Sequence, residues 1–96
     1  MEYPELPASL VDAIDHVVVY CREAIESPTP LNMGLAALWA DELERMDAYS
    51  PLHENLTDCI SRTISAYRDV AADPKNIKIT KAKLWLTNLA GWLPEI

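Results

Sequence analysis

Hydrophobic residues recur every three or four positions along most of this chain, which is the period of an amphipathic α-helix. Four stretches carry the pattern, at about residues 7–26, 30–49, 51–72 and 80–93, and their lengths are those of ordinary bundle helices. The connections between them are short, and short connections favour antiparallel neighbours. The sequence therefore predicts an all-α fold, a small antiparallel four-helix bundle in which residues 1–96 form a single domain.

The apolar faces of the first and third stretches are the most regular, so we expect these two helices to form the centre of the core. The first face comprises Leu10, Ile14, Val17, Val18, Cys21 and Ile25, and the third comprises Leu52, Leu56, Cys59, Ile60, Thr63, Ile64, Tyr67 and Val70. The second stretch places on one side Leu31, Leu35, Leu38, Trp39, Leu43, Met46 and Tyr49, and the last stretch stacks Ala82, Trp85, Leu86, Leu89, Trp92 and Leu93.

Three prolines mark predicted helix starts. Each of the pairs Thr29-Pro30, Ser50-Pro51 and Asp73-Pro74 joins a side chain suited to cap a helix N-terminus to a residue preorganised for the first turn. The segment from Asn76 to Ile79 is too short and too mixed to assign. It forms an extended link, or the fourth helix begins as early as Pro74.

Composition narrows the class of protein. Half of the residues are hydrophobic, which is enough apolar area to offset the chain entropy lost on folding. The first seven residues contain no basic region followed by an apolar run, and no stretch approaches the roughly 20 apolar residues that span a membrane. Cys21 and Cys59 lie 38 positions apart without a CxxC motif, so we expect both to stay reduced. These features are typical of a soluble, cytoplasmic protein without a membrane segment.

The charge of the chain is divided in two. Residues 1–74 carry fourteen acids against four arginines, a net charge of −10. Residues 75–96 contain four lysines, Lys75, Lys78, Lys81 and Lys83, and one acid, Glu95, which gives a net charge of +3. The two parts sum to −7 for the whole chain. This asymmetry points to a protein partner rather than to a reaction. A nucleic acid is not expected to bind directly, because four lysines in an acidic chain make a weak phosphate-binding surface.

The acidic candidates lie on the second helix, where negative charge covers one and a half turns at Asp41, Glu42, Glu44 and Asp47. One interpretation is a solvated helix face, with Arg45 four positions after Asp41 to neutralise part of the charge. The other is a docking surface for a basic groove, whose attraction would weaken with added salt. We predict these four acids as the partner-binding site.

Glu42 is the least expected of these acids, because its helical position falls among Leu35, Leu38, Trp39 and Met46. A half-buried carboxylate needs a compensating partner, so this position is a reasonable place to look for a site. The alternative is a seam between two helices, where Glu42 pairs with a tyrosine, a histidine or a lysine.

The C-terminal segment combines its four lysines with Trp85 and Trp92. We expect the basic fourth helix to lie against the acidic remainder of the chain, with both tryptophans covering the core. Alternatively, Leu84, Trp85 and Trp92 form an exposed apolar patch that binds another chain, since aromatic anchors dominate interfaces.

Motifs for catalysis, metal binding or cofactor binding are missing from the sequence. His16 lies on the outward face of the first helix beside Asp12 at i−4, but neither His16 nor His53 belongs to an HxxxH, HxxE-type or ExxH pair. The chain also has no glycine-rich phosphate loop. Both cysteines lie within apolar stripes, where cysteine usually acts as a small inert hydrophobe. We therefore expect a protein that is not an enzyme and has no metal or cofactor, although Glu42 leaves catalysis open as a third class of function.

The charge favours a small acidic binding protein that docks on a basic, nucleic-acid-handling protein and inhibits or neutralises it, in the manner of a phage inhibitor, an immunity protein or an antitoxin. The alternative is a helical assembly subunit that forms a homodimer or a larger complex through its Trp-rich C-terminal helix. Salt separates the two, because binding to a basic enzyme falls steeply with added salt whereas apolar self-association is largely indifferent to it.

Overall fold

The computed structural model describes residues 8–49 and 54–93, and it confirms the all-α fold. The described residues contain no strand and form four helices, α1 (Ala8–Glu26), α2 (Pro30–Tyr49), α3 (Glu54–Ala72) and α4 (Asn76–Ala90). The predicted helix start at Ser50-Pro51, the predicted core residue Leu52 and His53 lie outside the described residues, as do the side chains of Asp47 and Tyr49. None of the described helices is both long enough and apolar enough to cross a membrane.

The helices form a closed antiparallel ring. Each helix packs against the next one in the chain, and α4 returns to pack against α1. In that last pair Arg22 contacts Thr87, whereas the later residue Glu26 contacts the earlier residue Lys83, so the two helices run in opposite directions. Because α1 and α4 are antiparallel and the sequential helices are joined by short connections, the architecture is the predicted antiparallel four-helix bundle.

The core follows the stripes predicted for α1, α3 and α4. On α1 the buried residues are Leu10, Ala13, Ile14, Val17, Val18, Cys21 and Ala24, and on α3 they are Leu56, Cys59, Ile60, Thr63, Ile64, Ala66, Tyr67 and Val70. The last helix buries Ala82, Leu86 and Leu89, and the half-buried Trp85, Trp92 and Leu93 pack against the core. The amphipathic pattern of these three helices therefore identified their inner faces correctly.

The predicted apolar face of α2 is wrong in part. Ala36, Ala40 and Leu43 are the buried residues among the described side chains of this helix, whereas Leu31 and Leu38 are 71% and 62% exposed. Small side chains allow two helix backbones to approach closely, and close approach brings more atoms into van der Waals contact. The helix therefore turns its alanines inward, and two of its leucines are left on the outer surface.

The start of α2 agrees with the capping pattern. Thr29 precedes the first helical residue, Pro30, and its Oγ1 accepts a hydrogen bond from the backbone N–H of Asn32 at 3.2 Å. This bond satisfies one of the backbone donors that a helix leaves free in its first turn.

The segment left open before the fourth helix is helical. Helix α4 begins at Asn76, close to the alternative in which it begins as early as Pro74, and it ends at Ala90 instead of residue 93. Lys75 is the extended residue before the first turn, and the backbone N–H of Ile79 donates to its carbonyl at 2.9 Å. Asp73 does not cap this helix, because Lys75 occupies the cap position. The Asp73 carboxylate instead lies 3.3 and 3.4 Å from the ammonium groups of Lys75 and Lys78.

Candidate interaction surfaces

The carboxylates predicted as a docking surface on α2 are largely neutralised by arginines. Arg68 of α3 donates hydrogen bonds to Asp41 at 2.7 Å and to Glu44 at 2.9 Å. These bonds, chiefly the one with Glu44, raise the pKa of Arg68 above its ordinary value. The side chain of Asp47 lies outside the described residues. The described acids of α2 therefore carry less free charge than the sequence indicates.

Glu42 lies at the surface of α2, with a side chain that is 38% exposed. It forms a salt bridge with Arg45 on the next turn of the same helix, and not with the tyrosine, histidine or lysine that a seam position predicted. Its helical neighbour Leu38 is exposed as well. The arrangement is that of a surface ion pair rather than a buried carboxylate.

A second acidic surface follows the outer side of α1. The exposed residues Asp12, Asp15, Glu23 and Glu26 lie at positions i, i+3, i+11 and i+14, so they share one helix face about 21 Å long. Val19, in the middle of this face, is 46% exposed. We call these five residues the acidic stripe. The spacing of its carboxylates, opposite the apolar face of α1, is a sequence signal that could have identified it.

Part of the acidic stripe has no neutralising partner. Asp15 and Glu23 form no ion pair with any residue in the described ranges. At the end of the stripe, Glu26 pairs with Lys83 at 3.1 Å. The free charge on α1 is therefore greater than that on the described part of α2.

An aromatic cluster lies where α1 meets α2. The ring of His16 stacks on the ring of Trp39, with centroids 4.1 Å apart, and lies 5.7 Å from the ring of Tyr20. His16 Nδ1 is 2.6 Å from the backbone oxygen of Asp12, a geometry in which Nδ1–H donates the hydrogen bond. His16 thus covers part of the seam between the two helices.

Three of the four lysines of the C-terminal segment form ion pairs within the molecule. Lys75 and Lys78 both pair with Asp73, and Lys83 pairs with Glu26 of α1. Lys81 alone among the four lysines has no ion pair with a described residue. Of these pairs, Lys83–Glu26 joins α4 to another helix, as expected if the basic helix lies against the acidic remainder of the chain.

The predicted apolar patch on α4 divides into a covered part and an exposed part. Trp85 and Trp92 are half-buried and pack against the core, and the guanidinium of Arg62 lies 5.6 Å from the centre of the Trp85 ring. Leu84, by contrast, is 60% exposed, and Ile77, seven positions earlier, is 79% exposed. The exposed apolar surface of α4 thus centres on Leu84 and Ile77 instead of on the tryptophans.

An apolar groove of about 380 Å³ runs between α2 and α3. Its lining is mainly methyl and thioether groups, with the Asp41–Arg68 ion pair and an aromatic ring at the sides, and comprises Met33, Ala37, Ala40, Asp41, Tyr67, Arg68, Ala71 and Ala72. Groups of this kind suit an apolar side chain, and no cysteine, serine or histidine is among the lining residues.

The two cysteines of the core, Cys21 and Cys59, are poor nucleophiles because they are buried. Burial raises the pKa of Cys21 to about 12, and it also raises the pKa of Cys59, so neither forms much thiolate at neutral pH. The buried hydroxyl of Thr63 lies 2.6 Å from the backbone oxygen of Cys59 and 3.2 Å from that of Trp85, where it links α3 to α4. Among the described residues, no three side chains of the metal-binding types converge.

Comparisons of this chain with protein-family models, with curated proteins and with solved structures found no match. Its function is therefore inferred from the chain's own surfaces.

Proposed function

We propose that this protein is a small, non-enzymatic binding protein that docks on a basic protein, of the kind that handles nucleic acid, and inhibits or neutralises it. The proposal rests on the acidic stripe, where Asp15 and Glu23 form no ion pair with a described residue, while three of the four lysines form ion pairs within the chain. Both acids are exposed, and the whole chain has a net charge of −7. Such a surface attracts a basic partner and raises the rate of association.

Apolar side chains lie within and beside the acidic stripe. Exposed ion pairs contribute little net affinity, so a docking surface also needs apolar contacts at its centre. Val19 lies within the stripe, and the half-buried Tyr20 and Trp39 lie at the adjoining seam. In this proposal the stripe supplies the charged rim, and these three side chains supply apolar contact.

The acids predicted on α2 have a secondary part in the proposal. Arg68 holds Asp41 and Glu44, and Arg45 holds Glu42, so a partner would have to displace an arginine before binding these carboxylates directly. They contribute to the long-range field of the molecule, and the acids of α1 make the first contacts.

The proposal is tested by capture of the partner from a lysate at low salt, followed by washes of rising salt and mass spectrometry of the released proteins. The Asp15→Asn/Glu23→Gln variant removes two free charges from the acidic stripe. The matched control, Glu54→Gln/Asp69→Asn, removes two exposed charges from α3, where neither acid forms an ion pair with a described residue. We expect a basic protein that wild type and control retain at low salt and that the stripe variant loses. Equal retention by both variants, or retention that salt does not change, contradicts the proposal.

A second candidate, a helical assembly subunit that self-associates through α4, is favoured by one observation. Ile77 and Leu84 are largely exposed on the same face of this helix, and exposed apolar residues that share a face mark interaction sites. The predicted tryptophan anchors are partly covered, so the aliphatic residues would make the contact.

A further inference from the structure

Two strips of surface side chains, each with two exposed apolar residues, lie on different helices. The first, on α2, consists of the exposed Leu31 and Leu38 and the half-buried Leu35, and we call it the leucine strip. The second, on α4, consists of Ile77, Lys81 and Leu84, and we call it the lysine strip. In each strip the two outermost apolar residues are seven positions apart, which is two helical turns or about 10 Å along the axis.

The two strips face in opposite directions. Both α2 and α4 pack against α1 and against α3, so they lie diagonally across the ring of helices. Each has its buried residues toward the centre of that ring and its strip on the outside. One molecule therefore presents the leucine strip on one side and the lysine strip on the opposite side.

The charges beside the strips are complementary. Lys81, between Ile77 and Leu84, is the lysine that has no ion pair with a described residue. The leucine strip is followed on its own helix face by Glu42, which is already paired with Arg45. Helix α2 also packs beside α1, which carries Glu23, an exposed acid with no ion pair to a described residue. The lysine strip thus contains a cation with no ion pair to a described residue, and the helix beside the leucine strip carries a carboxylate with none.

We propose that the lysine strip of one molecule packs on the leucine strip of a second copy of this chain, in head-to-tail order. A contact between two different surfaces is heterologous, and because the surfaces lie on opposite sides, each added copy presents a new free strip. The product is an open chain of molecules rather than a closed dimer. This inference rests on the assembly candidate above and does not require the basic partner.

Symmetric contacts are disfavoured by charge. Two lysine strips facing each other would oppose Lys81 to its own copy, and two leucine strips would bring the acids of both α1 helices together. A contact of one helix on another also buries a small area, so the head-to-tail association belongs to the weak, transient class of interfaces. Added salt weakens it in part, because only the lysine and carboxylate contribution is screened.

The test is sedimentation equilibrium with three single variants, at concentrations up to about 1 mM, where weak contacts become half-saturated. Leu38→Gln disrupts the leucine strip, and Leu84→Gln disrupts the lysine strip. Val19→Gln is the matched control, because it changes an exposed apolar residue outside both strips. All three positions are exposed, so the variants should stay folded, and circular dichroism verifies this.

Head-to-tail order predicts a specific pattern of masses. Wild type and Val19→Gln should grow beyond dimers as the concentration rises, and each strip variant alone should remain at the 10.8 kDa of one chain. An equimolar mixture of Leu38→Gln and Leu84→Gln should form a complex of two chains and nothing larger, because one intact strip of each kind remains.

Other results overturn the proposal in distinguishable ways. A wild type that is monomeric at every concentration overturns both head-to-tail order and the assembly candidate. If Leu38→Gln still dimerises while Leu84→Gln does not, assembly through α4 stands and the head-to-tail order is wrong. A mixture of the two strip variants that stays monomeric overturns the order as well.

Discussion

At the scale of single residues, folding changes the acid–base chemistry of Cys21 most clearly. Burial raises the pKa of its thiol from 9.0 to about 12, because a thiolate would lose its hydration in the core. The folded state therefore favours the neutral thiol. Its contribution to the free energy of unfolding is complete below pH 9.0 and is lost as the pH rises from 9.0 toward about 12.

We predict that Cys21→Ala reduces the loss of stability at alkaline pH. The thiol contributes up to about 1.4 kcal/mol per pH unit to that loss once the unfolded chain ionises, and alanine removes this contribution. The variant also lowers the stability at neutral pH, because it leaves a small cavity. Urea unfolding at pH 8, 9 and 10 provides the measurement, and Cys59, whose pKa burial also raises, is present in both proteins. Equal slopes for wild type and variant would show that Cys21 is not protected from ionisation.

The pairs made by Arg68 show what residue patterns cannot reveal. Its partners Asp41 and Glu44 lie 27 and 24 positions away on another helix. From the sequence, Arg45 was the expected partner of Asp41, whereas Arg45 in fact pairs with Glu42. Pairs within one helix follow spacing, as Asp58 and Arg62 do, but pairs between helices depend on how the helices are rotated.

We predict that Arg68→Gln strengthens retention of the basic partner at low salt. The change frees the carboxylates of Asp41 and Glu44 and makes the molecule more negative by one charge. Stability should fall by no more than about 1 kcal/mol, because these ion pairs are exposed. Thermal unfolding and the salt concentration at which the captured partner is released are the two readouts. Weaker retention at unchanged stability would instead place Arg68 itself in contact with the partner.

At the scale of helices, the rotation of α2 was the main feature that its hydrophobic pattern did not predict. Leucines dominate a hydrophobicity count, so the pattern assigned Leu31 and Leu38 to the core. The structure buries Ala36 and Ala40 instead, because small residues permit close contact between helices. Helices α1 and α3 were predicted correctly because each has a single continuous stripe of large apolar residues.

We predict that two truncations on α2 differ strongly in their effect on the free energy of unfolding. Leu43→Ala removes a side chain that is fully buried and should cost about 2–5 kcal/mol of stability through lost contacts and a cavity. Leu38→Ala removes an exposed side chain and should change stability by about 0.5 kcal/mol or less. Chemical denaturation of the two variants under one set of conditions measures the difference. Similar losses for both would mean that α2 is rotated differently from the structure.

At the scale of the whole molecule, the basic and acidic parts of the chain differ in how much of their charge is paired within the described structure. The lysines that dominate the C-terminal segment mostly neutralise Asp73 and Glu26, whereas Asp15 and Glu23 on α1 remain available. The sequence predicted both the asymmetry and a partner of opposite charge. It could not show which acids stay free, because that depends on which helices are neighbours in the ring.

Binding between this protein and the captured basic partner, measured by calorimetry over a range of salt concentrations, tests the central claim most directly. We expect the affinity to fall about tenfold or more between about 0.05 and 0.5 M salt, because screening weakens exposed charge pairs. The Asp15→Asn/Glu23→Gln variant should bind more weakly at low salt and depend less on salt than wild type. An affinity that is independent of salt, and equal in wild type and variant, would contradict recognition through the acidic stripe.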